Sequence, residues 1–229
     1  MIGIIGAMKI EIEKIRSEMT GTSKKTIAGV DFVSGVLGSS EVVTAVCGIG
    51  KVAAAICSQA MIMEYHPDCI INTGVAGSLS ADVNVFDVVI AQSLVQHDMD
   101  TTAIGDKPGY ISGLDLIEIK ADSKVVSALN EAAAKAGDIK TFPGIIASGD
   151  QFIASEEKKS FITGTFGACA CEMEGASIAQ VCYSNSVPFG VVRAISDRAD
   201  GSSPVNYTEF LPVAAETAAK IIRNFVNCY

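Results

Sequence analysis

Histidine is scarce in this chain: only His66 and His97 occur among 229 residues. Seven cysteines are present, at positions 47, 57, 69, 169, 171, 182 and 228, but no C-x-x-C pair. The odd count and the apolar surroundings of most of them read as buried reduced thiols, which sets aside a disulfide framework. The stretch His97-Asp98-Met99-Asp100 has the residue types of a metal string. On a strand, however, His97 and Asp98 point to opposite faces. With so few nitrogen and sulfur donors to complete a shell, no metal and no other cofactor is expected.

Positive charge is also in deficit. Lys and Arg total 17 against 26 Asp and Glu, a net charge of −9, with an isoelectric point near 4.7. Nucleic-acid binding rests on cationic phosphate contacts, so that partner class is excluded; a neutral or cationic small ligand suits the balance better. No apolar run reaches the ~20 residues needed to cross a bilayer. Met1 leads straight into a strand pattern without a basic segment or cleavage signal, so a soluble cytoplasmic protein with no membrane contact is expected. No linker, repeat or low-complexity block interrupts the sequence, and residues 1–229 read as one domain.

Apolar residues, by contrast, make up 49% of the chain, enough for a substantial core. Strand-like runs fall at 2–5, 31–36, 42–47, 69–72, 88–91, 144–148, 168–172 and 189–196. Many are continuous and β-branched, as when both faces of a sheet are covered. Helix-like runs follow Met8, Gly50, Asp122, Ser155, Glu174 and Tyr207, with Asp122 and Ser155 placed as N-caps. The alternation predicts an α/β fold: a central mixed, largely parallel twisted sheet flanked by helices, with a hairpin addition near residues 28–47. The irregular stretch 101–114 reads equally well as a lid or as a surface excursion.

Nucleotide motifs fail when tested. Gly48-Ile49-Gly50-Lys51-Val52-Ala53 fits G-x-G-x-x-A, but the next strand ends in Asn72-Thr73-Gly74 where the ribose-binding acid should stand. Walker A fails as well, since Ala45 occupies its first glycine position and Val52 its hydroxyl position. What remains is a tight turn whose amides can approach a ligand. In Asn72-Thr73-Gly74-Val75-Ala76-Gly77, small residues let backbone come close to a bound group, with no Arg or Lys to meet a phosphate.

Acids at strand ends carry the functional signal. Glu11 follows the first strand, Glu172 and Glu174 flank Met173, and Arg193, Ser196 and Asp197 end the last strand. Ligands of open α/β sheets gather at such carboxyl ends. Several carboxylates without a phosphate clamp suit cleavage of a ribosidic bond, whose transition state is cationic. One carboxyl group can protonate a leaving group while another deprotonates water.

The blocks GIIGAM with Glu11, CGIGKVAAA, IINTGVAG, IASGDQFI, CEMEGASIAQVC and VVRAISDRAD run in order from residue 1 to about 215. Together they resemble bacterial 5′-methylthioadenosine/S-adenosylhomocysteine nucleosidases, of the nucleoside phosphorylase fold. The resemblance implies that Glu11 activates water and that Asp197 protonates purine N7. It implies that Glu174 binds the ribose 3′-hydroxyl and that Met173 packs under the ribose. Arg193 would position water and carboxylates, and Ser196 would orient the aspartate. Phe152 would stack on adenine while the Ile153 backbone reads its edge; Met8, Ile49 and Tyr207 would line the ribose and alkylthio side. A homodimer is implied, in which the 101–113 loop closes the neighbour's 5′-thio pocket. Two departures stand out: Val75 replaces a serine common in that motif, and in the loop Ile104 replaces a common Phe while Ser112 lies near where a Pro is often found. A purine nucleoside phosphorylase, an aminodeoxyfutalosine nucleosidase and a non-catalytic nucleoside-binding domain are the alternatives. The absence of Arg from the 72–77 segment and the extra charge of Glu11 favour water over phosphate.

Overall fold

The computed structural model describes residues 1–200 and 204–229, and the side chains of 204–208 lie outside that description. Ten strands and six α-helices alternate along the described chain: β1 (Ile2–Gly6), α1 (Lys9–Ser17), β2 (Thr20–Ile27), β3 (Val30–Leu37), β4 (Ser40–Val46), α2 (Lys51–Tyr65), β5 (Cys69–Ser78), β6 (Val88–Gln96), β7 (Glu118–Lys120), α3 (Ser123–Ala134), β8 (Thr141–Ser148), α4 (Glu156–Phe166), β9 (Ala168–Glu172), α5 (Gly175–Ser184), β10 (Phe189–Asp197) and α6 (Pro204–Cys228). The expected α/β alternation is therefore present. Asp122 caps α3 by accepting from the backbone N–H groups of Lys124 and Val125, and Ser155 caps α4 by accepting from that of Lys158.

All ten strands join one mixed sheet. The ladders β1–β4, β1–β5, β5–β10, β6–β8 and β8–β9 are parallel. The antiparallel ladders are β2–β3, β3–β4, β5–β9, β6–β7 and β6–β10. The sheet is not simply open: β5, β10, β6, β8 and β9 hydrogen-bond in a closed, barrel-like ring, and β1, β4, β3 and β2 run outward from β5. This geometry turns on one edge of β5. Its first residues, Cys69 to Asn72, pair with β1. Its last two, Gly77 and Ser78, pair with β9. Between them the edge of β5 forks, and residues 73–76 are left facing a gap.

Two apolar layers cover the sheet. One packs α2 and α5 through Ala54, Cys57, Met61, Ile178 and Cys182. The other packs α1, α3 and α6 through Ile12, Ile15, Leu129, Ile222 and Phe225. Every residue of β5 and β10 is buried, as their continuous apolar runs require.

Two strands lay outside the expected set. Strand β2, TGTSKKTI, is exposed along nearly all its length, so it carries no apolar alternation. It is held by a two-residue turn at Ala28 and Gly29, both in the left-handed region (φ 51° and 79°), the geometry that suits a tight hairpin. Strand β7 is a three-residue edge strand. The last helix begins at Pro204 rather than after Tyr207.

Candidate active site

The fork in β5 opens onto a cleft that mixes apolar walls with convergent buried polar groups, the usual make-up of a small-molecule site. Four strand ends deliver its walls. β1 runs into Ala7 and Met8, β5 supplies Val75, Ala76 and Gly77, β9 supplies Cys171 and Glu172 and leads into Met173 and Glu174, and β10 brings Arg193, Ser196 and Asp197. Ile49 and the segment Gln151–Ile153 complete the lining.

Glu11 lies in the first turn of α1 and is 2% exposed. One carboxylate oxygen accepts from the backbone N–H groups of Ala7 (2.7 Å) and Met8 (2.9 Å). The other accepts from that of Val75 (3.2 Å). Burial raises its pKa above the ordinary carboxyl value; the charge of Arg193 and the three amides oppose the shift without cancelling it. The backbone of Gly74 is what admits this contact. A Cβ there would lie 2.4 Å from both Glu11 Oε1 and Arg193 Nη1.

Arg193 is 1% exposed in the middle of β10. Its Nη2 donates to Asn72 Oδ1 (2.5 Å) and to Glu172 Oε2, and its Nη1 donates to the Val75 carbonyl (3.3 Å). Glu174 Oε2 lies 3.6 Å from Nη2. Desolvation works against the guanidinium charge, but Glu172, Glu174 and Glu11 more than offset it, so Arg193 stays cationic.

The two acids around Met173 separate sharply in role. Both oxygens of Glu172 are taken by the protein. One accepts from Ser148 Oγ; the other accepts from Arg193 and from the backbone N–H groups of Glu174 (3.0 Å) and Gly175 (2.8 Å). It thus secures the N-terminus of α5, where a negative charge is favoured. Glu174 instead reaches across the cleft, where its Oε1 accepts from the Gly50 N–H (2.8 Å). Burial first, and then the charge of Glu172, raises the Glu174 pKa.

Asp197 closes the other end, 3% exposed. Ser196 Oγ donates to its Oδ1 (2.9 Å), and the Ala199 N–H donates to its Oδ2 (3.0 Å). Phe152 and Ile49 stand at the mouth, 53% and 61% exposed. Met8 and Met173 are half-buried.

The cleft thus brings together Met8, Glu11, Ile49, Val75, Ala76, Gly77, Phe152, Ile153, Glu172, Met173, Glu174, Arg193, Ser196 and Asp197. Ile104 is elsewhere: it sits on a 3₁₀ turn, Thr102–Ile104, 82% exposed, and does not line this cleft. The side chain of Tyr207 lies outside the described residues. Gln151 and Cys171 join the lining without having been singled out from sequence, and Asn72, Gly74 and Ser148 support it from behind. Asn72 and Ser148 did leave a signal, as polar residues closing buried apolar runs. Among the described residues no group of three or more His, Cys, Asp or Glu is arranged to hold a metal ion. At the earlier metal string, Asp98 pairs with Lys51 (2.6 Å) instead.

Comparison with known proteins gives one consistent picture. Residues 1–227 match the family described as Phosphorylase superfamily. The 5′-methylthioadenosine/S-adenosylhomocysteine nucleosidase of Shewanella pealeana is 41% identical over 222 residues, 96% of each chain. Among solved structures, the enzyme of that name from Neisseria meningitidis, in complex with methylthio-immucillin-A, superposes with a TM-score of 0.96 at 36% identity, covering 100% of this chain and 99% of the other. A futalosine hydrolase of Helicobacter pylori superposes with a TM-score of 0.94 at 37% identity, covering 99% and 97%.

Proposed function

The chain belongs to the phosphorylase superfamily and, within it, to the 5′-methylthioadenosine/S-adenosylhomocysteine nucleosidases, and on that premise we propose how its cleft divides the chemistry. The protein is an N-glycosidase. It hydrolyses the N-glycosidic bond of 5′-methylthioadenosine and S-adenosylhomocysteine, releasing adenine and the 5′-thioribose product. Water forms a bond to C1′ as the bond from C1′ to adenine N9 breaks. Glu11 takes the water proton, and Asp197 delivers a proton to N7 so that adenine leaves neutral. Glu174 accepts from the ribose 3′-hydroxyl, Met173 packs beneath the sugar, and Met8, Ile49 and Tyr207 border the ribose and alkylthio side. Phe152 stacks on adenine, whose edge meets the Ile153 backbone, while Ala76 and Gly77 let the main chain approach. Ser196 holds Asp197 in orientation; Glu172 and Arg193 hold the carboxylates and the water.

The observation that carries hydrolysis over phosphorolysis is the state of Arg193. Among the described residues lining the cleft it is the sole cation, and its guanidinium is already committed to Asn72, Val75 and Glu172. A phosphate would meet Glu11 and Glu174 with no cationic cradle. The test is adenine release in phosphate-free buffer from methylthioadenosine, S-adenosylhomocysteine, 5′-deoxyadenosine and adenosine. Detection of methylthioribose 1-phosphate when phosphate is added would overturn the reading. The likeness to a futalosine hydrolase favours including an aminodeoxyfutalosine in the same assay.

We further propose a homodimer in which the 101–113 loop, with Ile104 foremost, covers the partner's 5′-thio pocket. The exposure of Ile104 supports it, as does an apolar face on α2 where Val52, Ile56 and Met63 are 70%, 46% and 69% exposed. A twofold dimer would use each surface twice. Residues from β1, β5, β9 and β10 share one cleft, which supports one domain over residues 1–229. Seven unpaired cysteines fit a reducing, cytoplasmic setting, and among the described residues no helix is long and apolar enough to cross a membrane.

A further inference from the structure

The sequence His97-Asp98 has no part in the chemistry above, yet Asp98 sits at the junction of two walls of the cleft. Its Oδ1 accepts from Lys51 Nζ (2.6 Å), and its Oδ2 accepts from the backbone N–H of Asp150 (2.8 Å). Asp150 in turn accepts, through its own Oδ1, from the backbone N–H of Lys51 (2.7 Å). Asp98, Lys51 and Asp150 therefore close a ring of three hydrogen bonds, each residue bound to both others. The Asp98 and Lys51 side chains are only 14% and 19% exposed, and Lys51 Nζ is also held by Gln96 Oε1 (3.1 Å).

The two elements this ring joins matter. Lys51 opens α2 directly after Gly50, whose N–H holds Glu174. Asp150 opens the segment carrying Phe152 and Ile153, which has no helix or strand of its own between β8 and α4. With no ladder of its own, the segment is held by packing of Ile153 in a small apolar cluster, by Lys158 Nζ donating to Gln151 Oε1 (2.5 Å), and by the Asp98 bond to the Asp150 amide. The fit is close: Gly50 lies at φ 98°, and a Cβ there would stand 2.9 Å from Asp150 Oδ1. On the opposite side the His97 ring packs on Gly149, where a Cβ would lie 2.4 Å from Nε2.

We propose that Asp98 is a positioning residue for purine recognition: through Lys51 and the Asp150 amide it fixes the Gln151–Ile153 wall relative to Glu174. The inference rests on the assignment of Phe152 and Ile153 to adenine. Loss of its ion pair loosens the purine wall while leaving the ribosyl end and the reacting carboxylates in place.

The test compares two ligands that occupy opposite ends of the cleft, free adenine and 5-methylthioribose. Asp98→Asn keeps an acceptor for Asp150 but discards the charge that holds Lys51. Roughly tenfold weaker adenine binding and an equal rise in KM for methylthioadenosine are expected, about 1.4 kcal/mol. kcat and the inhibition constant of 5-methylthioribose should stay near wild type. Lys51→Met, which preserves its backbone bond to Asp150, should reproduce the adenine-selective loss, and the double variant should add little to either alone. Should Asp98→Asn not fold, Lys51→Met carries the test. Equal weakening of both ligands, or unchanged adenine affinity, would overturn the proposal. Phe152→Ala separates the premise: if it leaves adenine binding intact, the purine assignment falls and the proposal with it. If it weakens adenine while Asp98→Asn does not, only the role of Asp98 falls.

Discussion

Replacing Glu11 by Gln tests the mechanism at its most exposed point. In the wild type, one carboxylate oxygen holds the amides of Ala7 and Met8, and the other holds that of Val75. The amide side chain can keep only one of these arrangements. With its oxygen toward Ala7 and Met8, its NH₂ faces the Val75 N–H, donor to donor. That mismatch costs about 1–3 kcal/mol if unrelieved. An opposing term comes from the charge. Glu11 has a pKa raised above 4.5 by burial, so the folded state binds its proton more tightly than the unfolded state. Folding is then favoured as pH falls through the raised value, and ionised Glu11 weighs against the fold at pH 8. A neutral Gln removes that penalty, so the stability of Glu11→Gln relative to the wild type should be most favourable at pH 8 and should decline toward pH 4.5. Turnover is another matter: Gln cannot accept the water proton, and loss of a general base typically costs ~10²–10⁴-fold in kcat. The assay pairs adenine release under saturating methylthioadenosine with calorimetric binding of adenine. Near-wild-type kcat in a folded, adenine-binding Glu11→Gln protein would refute the assignment.

Asp197→Asn should lower kcat for adenine nucleosides by a similar ~10²–10⁴-fold, with a smaller rise in KM because the amide retains a hydrogen bond; a rise in KM alone would make Asp197 a binding residue. In the wild type, kcat/KM should fall on the acid side as Glu11 is protonated, with a midpoint above 4.5 because burial raises its pKa; a midpoint below that value, read from the pH–rate profile, would show that the amides and Arg193 outweigh burial. Val75→Ser should raise kcat by roughly two- to tenfold if its hydroxyl adds one hydrogen bond beside Glu11, checked by steady-state rates at fixed pH. Gly74→Ala should lower both Tm and kcat, since its Cβ would lie 2.4 Å from Glu11 Oε1 and Arg193 Nη1; unaltered thermal melting would show that the two side chains can give way.

Much of this was legible because polar residues interrupt buried apolar strands at telling places. Asn72, Glu172, Arg193 and Asp197 each end or break a run that is otherwise core, and all are buried. Closure of the sheet was not legible. It depends on β5 pairing first with β1 and then with β9 along one edge, a long-range register that no local period encodes. Strand β2 was missed for the opposite reason, since exposure on both faces erases alternation. Glu172 and Glu174 look equivalent in the sequence Glu-Met-Glu. Only the geometry separates the one that turns back onto α5 from the one that reaches Gly50.

That separation bears on how the cleft stabilises charge. Glu11, Glu172 and Glu174 are buried around one guanidinium, Arg193, and Asp197 adds a further buried carboxyl on the same wall. Arg193 satisfies Glu172 most directly, which leaves Glu11 and Glu174 in surroundings that raise their pKa values. A neutral nucleoside entering the cleft relieves little of this imbalance. A ribosyl group acquiring positive charge as the bond to adenine stretches meets carboxylates already held in place by the amides of Ala7, Met8, Val75 and Gly50. Because those dipoles need not reorganise, the attraction grows with the developing charge and favours the transition state over the bound substrate. The same imbalance repels an incoming phosphate. On the proposed assignment of these residues, one arrangement of charge therefore accounts both for acceleration of bond cleavage and for the choice of water as nucleophile.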